Sequence, residues 1–388
     1  MSIIIDGIDF EELPAEKYWS WPSTYKGDKI AETTNMIIGG EYIGARKMDG
    51  AYFRFIKGMD GTIRLQSRSE SVKGGYLDKY EWVPQIHDWA KTIPNGTCLL
   101  GELYFPKNEG SRHVTTITGC LLDKALERQE KGEKLHYYVF DIWAWDGESF
   151  LKTTAEVRFS ILGGISCNST FSNEYVEYAQ YFYGPTLWDE FIKIRNQGGE
   201  GIVITQANSI PAPGKRTARK TLKVKKELDN PIDCFLTGGW RPATRLYTGD
   251  YIGSWPYWEN TYTGEKMQGQ FYFDYTQGAT IEPVTKAYFY GWASAVELGV
   301  VESCDGQTTF MGETVPGINI RSIGWVSGIT EEVRAGIVNE NEKWKGRVVK
   351  VNAMEVEPDT LRLRHGKIIE WRAPGDKSWK ECSIDQLL

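Results

Sequence analysis

The stretch IGARKMDGAYFRF, residues 43–55, places a lysine inside a sequence that otherwise has the composition of a buried strand. Because alternate side chains of a strand share one face, Lys47 and Asp49 lie on the same side, and Gly50 allows the backbone to turn closely around whatever the lysine contacts. Lysine is seldom buried without a partner. The stretch therefore predicts either a strand-end lysine that reaches solvent or a functional amine whose partners lie elsewhere in the chain.

Candidate partners occur downstream, each at the end or on the face of a predicted strand. Glu102 is a carboxylate within the apolar run LLGELYF, Phe140 offers a flat ring in YYVFDIW, and Glu200 precedes the apolar run GIVI. Lys223 and Lys225 are two residues apart and share one strand face. Each residue has a purely structural explanation, as a strand-edge carboxylate, a core aromatic ring or an exposed β face. One shared site explains all five together.

Most of the chain has the pattern of short strands rich in β-branched and aromatic residues. The predicted strands include residues 51–57, 97–105, 136–145, 201–206 and 221–226. Apolar spacing near 3.6 residues predicts helices at 113–134 and 186–198, each with glycine near its end. Strands therefore dominate, with helices between them.

The length of 388 residues indicates two or three domains. Asn230-Pro231 interrupts the strand pattern, which predicts domains at 1–229 and 230–388. The second is about twice the 50 to 80 residues that five short strands need. Its excess is an aromatic-rich insertion at about 240–310, where QFYFDY predicts a strand and YTGEKM a turn of an extra hairpin. These aromatic residues either contact a ligand by stacking or pack into a larger core.

Composition limits the class of protein and its surroundings. The six cysteines are dispersed without a C-x-x-C pair, which excludes a zinc site of that kind and fits a reducing, cytoplasmic location. No secretory signal and no membrane-spanning run are recognised. The net charge of −7 argues against nucleic acid, but KRTARKTLKVKK, residues 215–226, contains seven basic residues and no acid. This run is either a solvated face or a DNA-binding surface formed by Lys215, Arg216, Arg219 and Lys220.

Taken in order, these motifs resemble those of covalent nucleotidyltransferases, specifically ATP-dependent DNA ligases of the compact phage or viral type. The matching segments are KMDG (47–50), LQSRSES (65–71), LLGELYF (99–105), YYVFDIW (137–143), EGIVI (200–204), LKVKK (222–226) and EWRAPGDKSW (370–379). The resemblance implies an α+β protein. An ATP-grasp-like nucleotidyltransferase domain with antiparallel sheets would be followed by an enlarged OB-fold β-barrel domain.

The resemblance also implies the chemistry. Lys47 would attack the α-phosphorus of ATP and carry AMP, which then passes to the 5′-phosphate of nicked duplex DNA before the 3′-hydroxyl closes the break. It assigns nucleotide binding to Arg46, Asp49, Gly50, Arg54, Arg68, Glu102, Phe140, Lys223 and Lys225, with Phe140 on adenine, Glu102 on ribose and Arg68 also on DNA. Glu200 and Glu102 would hold Mg²⁺, for which Mn²⁺ is a substitute. The closing motif, Arg372, Asp376 and Lys377, would orient pyrophosphate. The expected protein is a monomer without a membrane partner.

Three positions depart from the family pattern. Many relatives read K-x-D-G-x-R, whereas this chain has Tyr52 in place of the arginine, and we expect Arg54 to reach the same ligand from the same strand face. Two extra residues separate Arg372 from Asp376 in RAPGDK, where relatives have R-x-D-K. Ala45 has no side chain with which to recognise the adenine amine.

Four alternatives stay open from the sequence. An RNA ligase would share Lys47 and its partners but usually lacks the closing motif. An mRNA-capping guanylyltransferase shares both domains and uses GTP. An NAD-dependent ligase needs an additional N-terminal domain, and 46 residues precede Lys47. A non-catalytic OB-fold module would bind nucleic acid without forming an adduct at Lys47.

Overall fold

The computed structural model describes residues 3–20, 35, 39–71, 74–107, 110–215, 220–225, 231–249, 252–278, 280–357 and 360–387. The chain divides into two compact units, Met1–Lys226 and Glu227–Leu388, and each is described by itself. The domain boundary predicted between residues 229 and 230 lies outside the described residues, as do two of the predicted DNA contacts, Arg216 and Arg219. Within the described ranges, no helix has the length and apolar character needed to cross a membrane.

The first unit is built mainly of strands. Their bounds are β1 (Ile4–Ile5), β2 (Ile8–Asp9), β3 (Trp19–Ser20), β4 (Tyr42–Lys47), β5 (Ala51–Lys57), β6 (Ile63–Glu70), β7 (Tyr76–Asp78), β8 (Thr97–Tyr104), β9 (His136–Trp145), β10 (Glu148–Ser149), β11 (Val176–Tyr178), β12 (Tyr181–Tyr183), β13 (Gly201–Gln206) and β14 (Thr221–Lys225). The helices between them are α1 (His87–Thr92), α2 (Ser111–Thr118), α3 (Leu122–Lys131), α4 (Ala155–Ser166) and α5 (Gly184–Asn196). Short 3₁₀ helices lie at Tyr80–Trp82, Pro84–Ile86 and Ser169–Phe171.

Two sheets organise this unit. Among the described residues, sheet 1 has the strand order β10-β9-β8-β5-β6-β7, with β11 also paired to β9, and sheet 2 has the order β12-β4-β13-β14-β3. The pairings are antiparallel except those of β11 with β9 and of β3 with β14. The predicted antiparallel sheets are therefore confirmed.

The centre of sheet 1 is covered on both faces, which explains why β5, β8 and β9 are mostly apolar. Phe53 and Phe55 of β5 belong to one core cluster, whereas Ile56 belongs to another that also contains Ile5 and Phe10 of the N-terminal segment. Full burial of each such side chain stabilises the fold by about 1.5–3 kcal/mol. The N-terminal segment is thus part of the core.

The helix predicted over residues 113–134 is divided in two. Helix α2 ends at Thr118 and α3 begins at Leu122. The backbone N–H of Gly119 donates to the carbonyl of Thr115, which closes the first helix before the second starts. By contrast, α5 is continuous, and its Leu187, Phe191 and Ile194 pack against sheet 2.

The second unit contains a five-stranded sheet, sheet 3, with the order β20-β19-β15-β21-β24 in the described residues. Its strands and short neighbouring strands are β15 (Ile232–Pro242), β16 (Tyr257–Asn260), β17 (Lys266–Gln268), β18 (Ile281–Pro283), β19 (Ala293–Phe310), β20 (Glu313–Val326), β21 (Val348–Asn352), β22 (Glu355–Val356), β23 (Leu363–Arg364) and β24 (Lys367–Trp371). The helices are α6 (Tyr272–Thr276), α7 (Lys286–Phe289), α8 (Glu331–Asn339) and α9 (Asn341–Trp344), with 3₁₀ helices at Ile252–Ser254, Trp379–Glu381 and Ile384–Leu387. The order of the long strands, with the first between the second and the fourth, is that of an OB fold.

The insertion lies between β15 and β19, so it ends near residue 292, earlier than the predicted residue 310. It contains the sheet β17-β16-β18, and the predicted turn joins β16 to β17. The strand predicted for QFYFDY is wrong, because residues 272–276 form helix α6. Alternating aromatic residues favour a strand locally, but here they lie on a single helical turn, where Phe273 is 72% exposed.

Candidate active site

The register of sheet 2 brings three of the predicted site residues, Lys47, Lys223 and Lys225, to one face. Gly201 of β13 pairs with Lys47 of β4 on one side and with Lys225 of β14 on the other. Two residues further along, Val203 pairs with Ala45 and Lys223. Because positions two apart share a face, all three lysines lie on the same side of the sheet. The opposite face packs against α5 through residues such as Ile202 and Val224.

Lys47 is bound by a buried carboxylate. Its ammonium donates to Glu200 Oε2 at 2.5 Å and to the carbonyl oxygen of Met48 at 3.3 Å. The ammonium of Lys225 lies 3.0 Å from the other oxygen, Glu200 Oε1. The Glu200 side chain is 4% exposed and that of Lys47 15%. Because each oxygen of this buried carboxylate contacts a different lysine, Glu200 holds both amines in fixed positions.

Glycine is required at two points beside Lys47. A Cβ on Gly50 would lie 2.0 Å from the carbonyl oxygen of Leu103, and a Cβ on Gly201 would lie 2.1 Å from that of Val224. Gly201 also has a backbone φ of +136°, which residues other than glycine rarely adopt. Gly50 therefore lets the turn after Lys47 lie against β8 of sheet 1, and Gly201 lets β13 and β14 approach closely within sheet 2.

Sheet 1 supplies the second carboxylate. Glu102 Oε1 accepts a hydrogen bond from the backbone N–H of Gly50 at 3.1 Å. Burial raises the pKa of Glu102, and the charge of Glu200 acts in the same direction, whereas Lys47 opposes the rise. This opposition shows that the two carboxylates and the amine interact electrostatically. Glu102 is thereby placed to accept a hydrogen bond or to share a cation with Glu200.

Lys223 is surrounded by positive charge. Burial and the nearby charges of Arg68, Lys47 and Lys225, in that order, lower the pKa of Lys223 to about 8. Such a concentration of cations is costly by itself and favours a ligand with several negative charges, such as a polyphosphate. The cluster therefore suits phosphoryl transfer better than binding of a neutral ligand.

Arg68 lies at the rim of this cluster. Its guanidinium donates to the carbonyl oxygen of Glu16 at 3.2 Å and lies 5.9 Å from the centroid of the Tyr52 ring. The side chain is exposed, so its remaining N–H groups can reach a ligand. Tyr52 thus occupies the position of the usual motif arginine and supports Arg68 through its ring face.

Phe140 lies at an irregularity in sheet 1. Gly101 pairs with Val139 and Leu100 with Asp141, so Phe140 is an extra residue in β9 without an opposite partner. Such bulges re-aim a side chain. The Phe140 ring packs at the margin of a cluster that includes Ala45 and Met48, on the chain segment that carries Lys47. The Phe140 ring therefore lies close to the chain segment that carries Lys47.

The structure gives Arg54 a different role from the one predicted. Its guanidinium donates to Leu13 O at 2.7 Å, Glu11 O at 3.4 Å and Gln66 Oε1 at 2.7 Å, and the residue is 2% exposed. All these acceptors belong to the protein, so Arg54 fastens the N-terminal segment to sheet 1 instead of replacing the motif arginine. Pairing of Arg46 with Ile202 likewise directs Arg46 to the face opposite Lys47.

The first unit contains three more of the predicted site residues, Asp49, Lys215 and Lys220. Asp49 is 6% exposed, directly after Lys47 and Met48. Lys215 is exposed and Lys220 half-buried, and Lys220 immediately precedes β14. These two residues are the described part of the predicted DNA-binding surface.

In the second unit, Asp233 holds the closing motif together. Asp233 Oδ1 accepts from Arg372 Nε at 3.1 Å and Nη2 at 3.0 Å, and Oδ2 accepts from Lys377 Nζ at 2.8 Å. Although burial acts to raise it, the pKa of Asp233 is lowered by the hydrogen bonds from Lys377 and Arg372. Arg372 also donates to Glu370 at 3.2 Å, and Asp376 is more distant at 3.9 Å. The two extra residues of RAPGDK thus leave Asp233 as the main carboxylate partner of Arg372.

Sequence reasoning missed Asp233 and a second residue, Tyr181. Asp233 is the second residue of the run IDCFLTGGW, residues 232–240, and belongs to none of the motifs, and its partners lie more than a hundred residues away along the chain. Tyr181 pairs with Ala45 in sheet 2, and its hydroxyl donates to the carbonyl oxygen of Phe140 at 2.8 Å. No spacing in the sequence connects these pairs.

The two carboxylates near Lys47, those of Glu200 and Glu102, are suited to bind a magnesium ion that keeps some of its water ligands. Among the residues with described coordinates, no group of three or more histidine, cysteine, aspartate or glutamate side chains could hold a metal ion alone. Mg²⁺ is usually bound by one or two carboxylates together with substrate phosphates. Glu200 and Glu102, beside a cationic face suited to phosphates, match that donor set.

Comparison with known proteins gives the family. The family model described as ATP dependent DNA ligase domain matches residues 24–225, more than half of the chain. No curated protein sequence matches the chain.

Solved structures show the same fold. The structure Pmar-Lig_PreS3 has 12% sequence identity and a TM-score of 0.51, covering 93% of this chain and 68% of its own. Pmar-Lig_Pre has 14% identity and a TM-score of 0.51, covering 94% and 68%. A structure of Lig E DNA ligases, described as binding DNA with a minimal scaffold, has 15% identity and a TM-score of 0.49, covering 92% and 99%. At 12 and 14% identity, the two Pmar-Lig likenesses show a shared fold.

Proposed function

This chain belongs to the ATP-dependent DNA ligase family, and we propose that it seals nicks in duplex DNA through an adenylate carried on Lys47. It is accordingly a ligase that uses ATP and acts on DNA, and this assignment is favoured over the RNA-ligase, capping, NAD-dependent and non-catalytic alternatives. The observation that carries the site proposal is the joint contact of Lys47 and Lys225 with the buried carboxylate of Glu200.

In the first step, the Lys47 amine attacks the α-phosphorus of ATP. The N–P bond forms, the bond to pyrophosphate breaks, and the amine must lose two protons overall. Glu200 Oε2, 2.5 Å from Lys47 Nζ, is the acceptor placed for the first proton, and the second leaves to solvent once the bond has formed. Lys223 and Lys225 stabilise the charge that develops on the phosphoryl oxygens.

Binding of the nucleotide is divided between the sheets. Phe140 stacks on adenine, Glu102 accepts from a ribose hydroxyl, and Arg68 contacts a phosphate of ATP or of the nick. Mg²⁺, or Mn²⁺ in its place, would be held by Glu200 and Glu102 and would neutralise charge on the phosphates. Asp49 and Gly50 shape the turn that brings Lys47 to the nucleotide.

Two displacements on DNA follow. An oxygen of the nick 5′-phosphate attacks the adenylate phosphorus, which breaks the P–N bond and returns Lys47 as an amine. The 3′-hydroxyl then attacks the 5′-phosphate, forming the phosphodiester and releasing AMP. Lys215 and Lys220 contribute contacts to the DNA backbone, because exposed lysines attract phosphate in a salt-dependent way. Lys377, held with Arg372 by Asp233, orients pyrophosphate in the first step.

We also propose that the protein acts as a monomer in the cytoplasm. The location is supported by the cysteines: all six are free thiols, of which Cys98, Cys234 and Cys382 are buried. This pattern is typical of proteins from a reducing compartment.

The proposal is tested by label transfer. The protein is incubated with ATP labelled at the α-phosphate and Mg²⁺, and a nicked duplex is then added. Wild type should become labelled and seal the nick, and Lys47→Ala should do neither. A matched control is Lys57→Ala, since Lys57 is a buried lysine of the same unit that donates to the carbonyl oxygens of Ala90, Lys91 and Ile93. Labelling by GTP in preference to ATP, or sealing by Lys47→Ala, would refute the proposal.

A further inference from the structure

The bulge at Phe140 raises the question of what fixes its peptide. A residue that is extra in its strand lacks a ladder partner in the neighbouring strand, so its backbone groups need other partners. On the preceding residue, the carbonyl oxygen of Val139 accepts from the backbone N–H of Ala179 at 2.8 Å. The carbonyl oxygen of Phe140 accepts from the hydroxyl of Tyr181, also at 2.8 Å. The short segment 179–181 therefore holds the bulge from one side.

Tyr181 is itself held firmly. Its backbone pairs with Ala45 in β4, and its ring stacks on that of Phe159 with a centroid distance of 4.4 Å and an interplanar angle of 8°. With its ring fixed by this stacking and its backbone by the sheet, the hydroxyl has one position. Tyr181 thus ties sheet 2, next to the lysine strand, to the bulge of sheet 1 that presents Phe140.

We propose that Tyr181 is a positioning residue for the adenine of ATP. Its hydrogen bond to the Phe140 carbonyl fixes the plane of the Phe140 ring, on which the adenine stacks. The inference rests on the proposed function, in which Phe140 stacks on adenine. Stacking depends on ring orientation and offset. Ala45, which pairs with Tyr181, has only a methyl side chain and no polar group for the base, so a well-oriented ring carries more of the base binding.

The test uses Tyr181→Phe, which removes only the hydroxyl. We expect the KM for ATP in self-adenylylation to rise about tenfold, while kcat stays within about twofold, because base stacking is made equally in the ground state and the transition state. The matched control is Tyr178→Phe. The Tyr178 hydroxyl also donates to a phenylalanine carbonyl, that of Phe171, at 2.9 Å, so its loss should lower stability but not change the KM.

A double-mutant cycle with Phe140→Ala separates positioning from a general structural role. Phe140→Ala should raise the KM for ATP, and adding Tyr181→Phe should raise it no further, because the ring that Tyr181 orients is gone. An unchanged KM in Tyr181→Phe, or an equal KM increase in the Phe140→Ala background, would overturn the inference. An unchanged KM in Phe140→Ala would likewise overturn the inference, because Phe140 would then not stack on the base. Absence of an adduct in the wild type would instead refute the proposed function.

Discussion

A buried ion pair joins Asp141, the residue after Phe140, to Arg158, and its removal should have a large effect on stability. Arg158 of α4 donates to Asp141 through Nε at 2.8 Å and Nη2 at 3.0 Å, and the two side chains are 2% and 6% exposed. Replacing Asp141 by alanine leaves the guanidinium buried without its carboxylate, and arginine cannot escape the penalty by losing its proton. Breaking one partner of such a pair costs about 3–5 kcal/mol of unfolding free energy.

The measurement is unfolding of the full chain in guanidinium chloride, followed by tryptophan fluorescence. Asp141→Ala should lose about 3–5 kcal/mol, and the double variant Asp141→Leu with Arg158→Met should regain most of it, because no buried charge remains. Asp88→Ala is the surface control, since the Asp88 and Lys91 side chains are 89% and 72% exposed. Its unfolding free energy should stay close to that of the wild type, because solvent screens an exposed pair. A loss below about 1 kcal/mol in Asp141→Ala, or a double variant as unstable as the single one, would refute the reasoning.

Three further predictions concern the site. Because the pKa of Lys223 is about 8, its positive charge is present below that pH and is lost as the pH rises through it. The kcat/KM of adenylylation should therefore fall above pH 8, and Lys223→Arg should remove this fall; an identical profile in that variant would contradict the role of the charge. Arg54→Ala should lower the unfolding free energy by at least about 2 kcal/mol, because charged hydrogen bonds are lost, but should leave the KM for ATP unchanged. A raised KM would instead support a contact between Arg54 and the nucleotide. Asp233→Asn should slow self-adenylylation about 10²-fold yet seal a pre-adenylylated nick normally, whereas Glu370→Gln should behave as wild type; equal losses in both reactions would show a merely structural Asp233.

The fold class and the family were predictable because their signals are local. Each motif combines a strand pattern with one chemically unusual residue, such as Glu102 in an apolar run, and the order of the motifs identifies the family. The α+β architecture, the antiparallel sheets and the ATP-dependent ligase assignment are confirmed. Strand register brings Lys47, Lys223 and Lys225 to one face. Alternation along a single strand predicts the shared face of Lys223 and Lys225, but not that Lys47 joins them.

The parts that sequence reasoning could not supply are those that depend on non-local partners. Arg54 shares a strand face with Tyr52, as expected, but the N-terminal segment that covers this face takes up its guanidinium. Tyr181 and Asp233 form hydrogen bonds with residues 41 and 139 positions away in the sequence, Phe140 and Arg372. At QFYFDY the local pattern itself was misleading, because alternating aromatic residues predict a strand but residues 272–276 form a helix.

The central claim is that Lys47 becomes covalently bonded to AMP. After incubation with ATP and Mg²⁺, the protein is digested and the adenylated peptide is located by mass spectrometry, with and without a subsequent chase of pyrophosphate. We predict that AMP is found on the peptide at Lys47 alone and that pyrophosphate removes it with regeneration of ATP. An adenylate on any other residue, or none at all from a folded protein, would contradict the account.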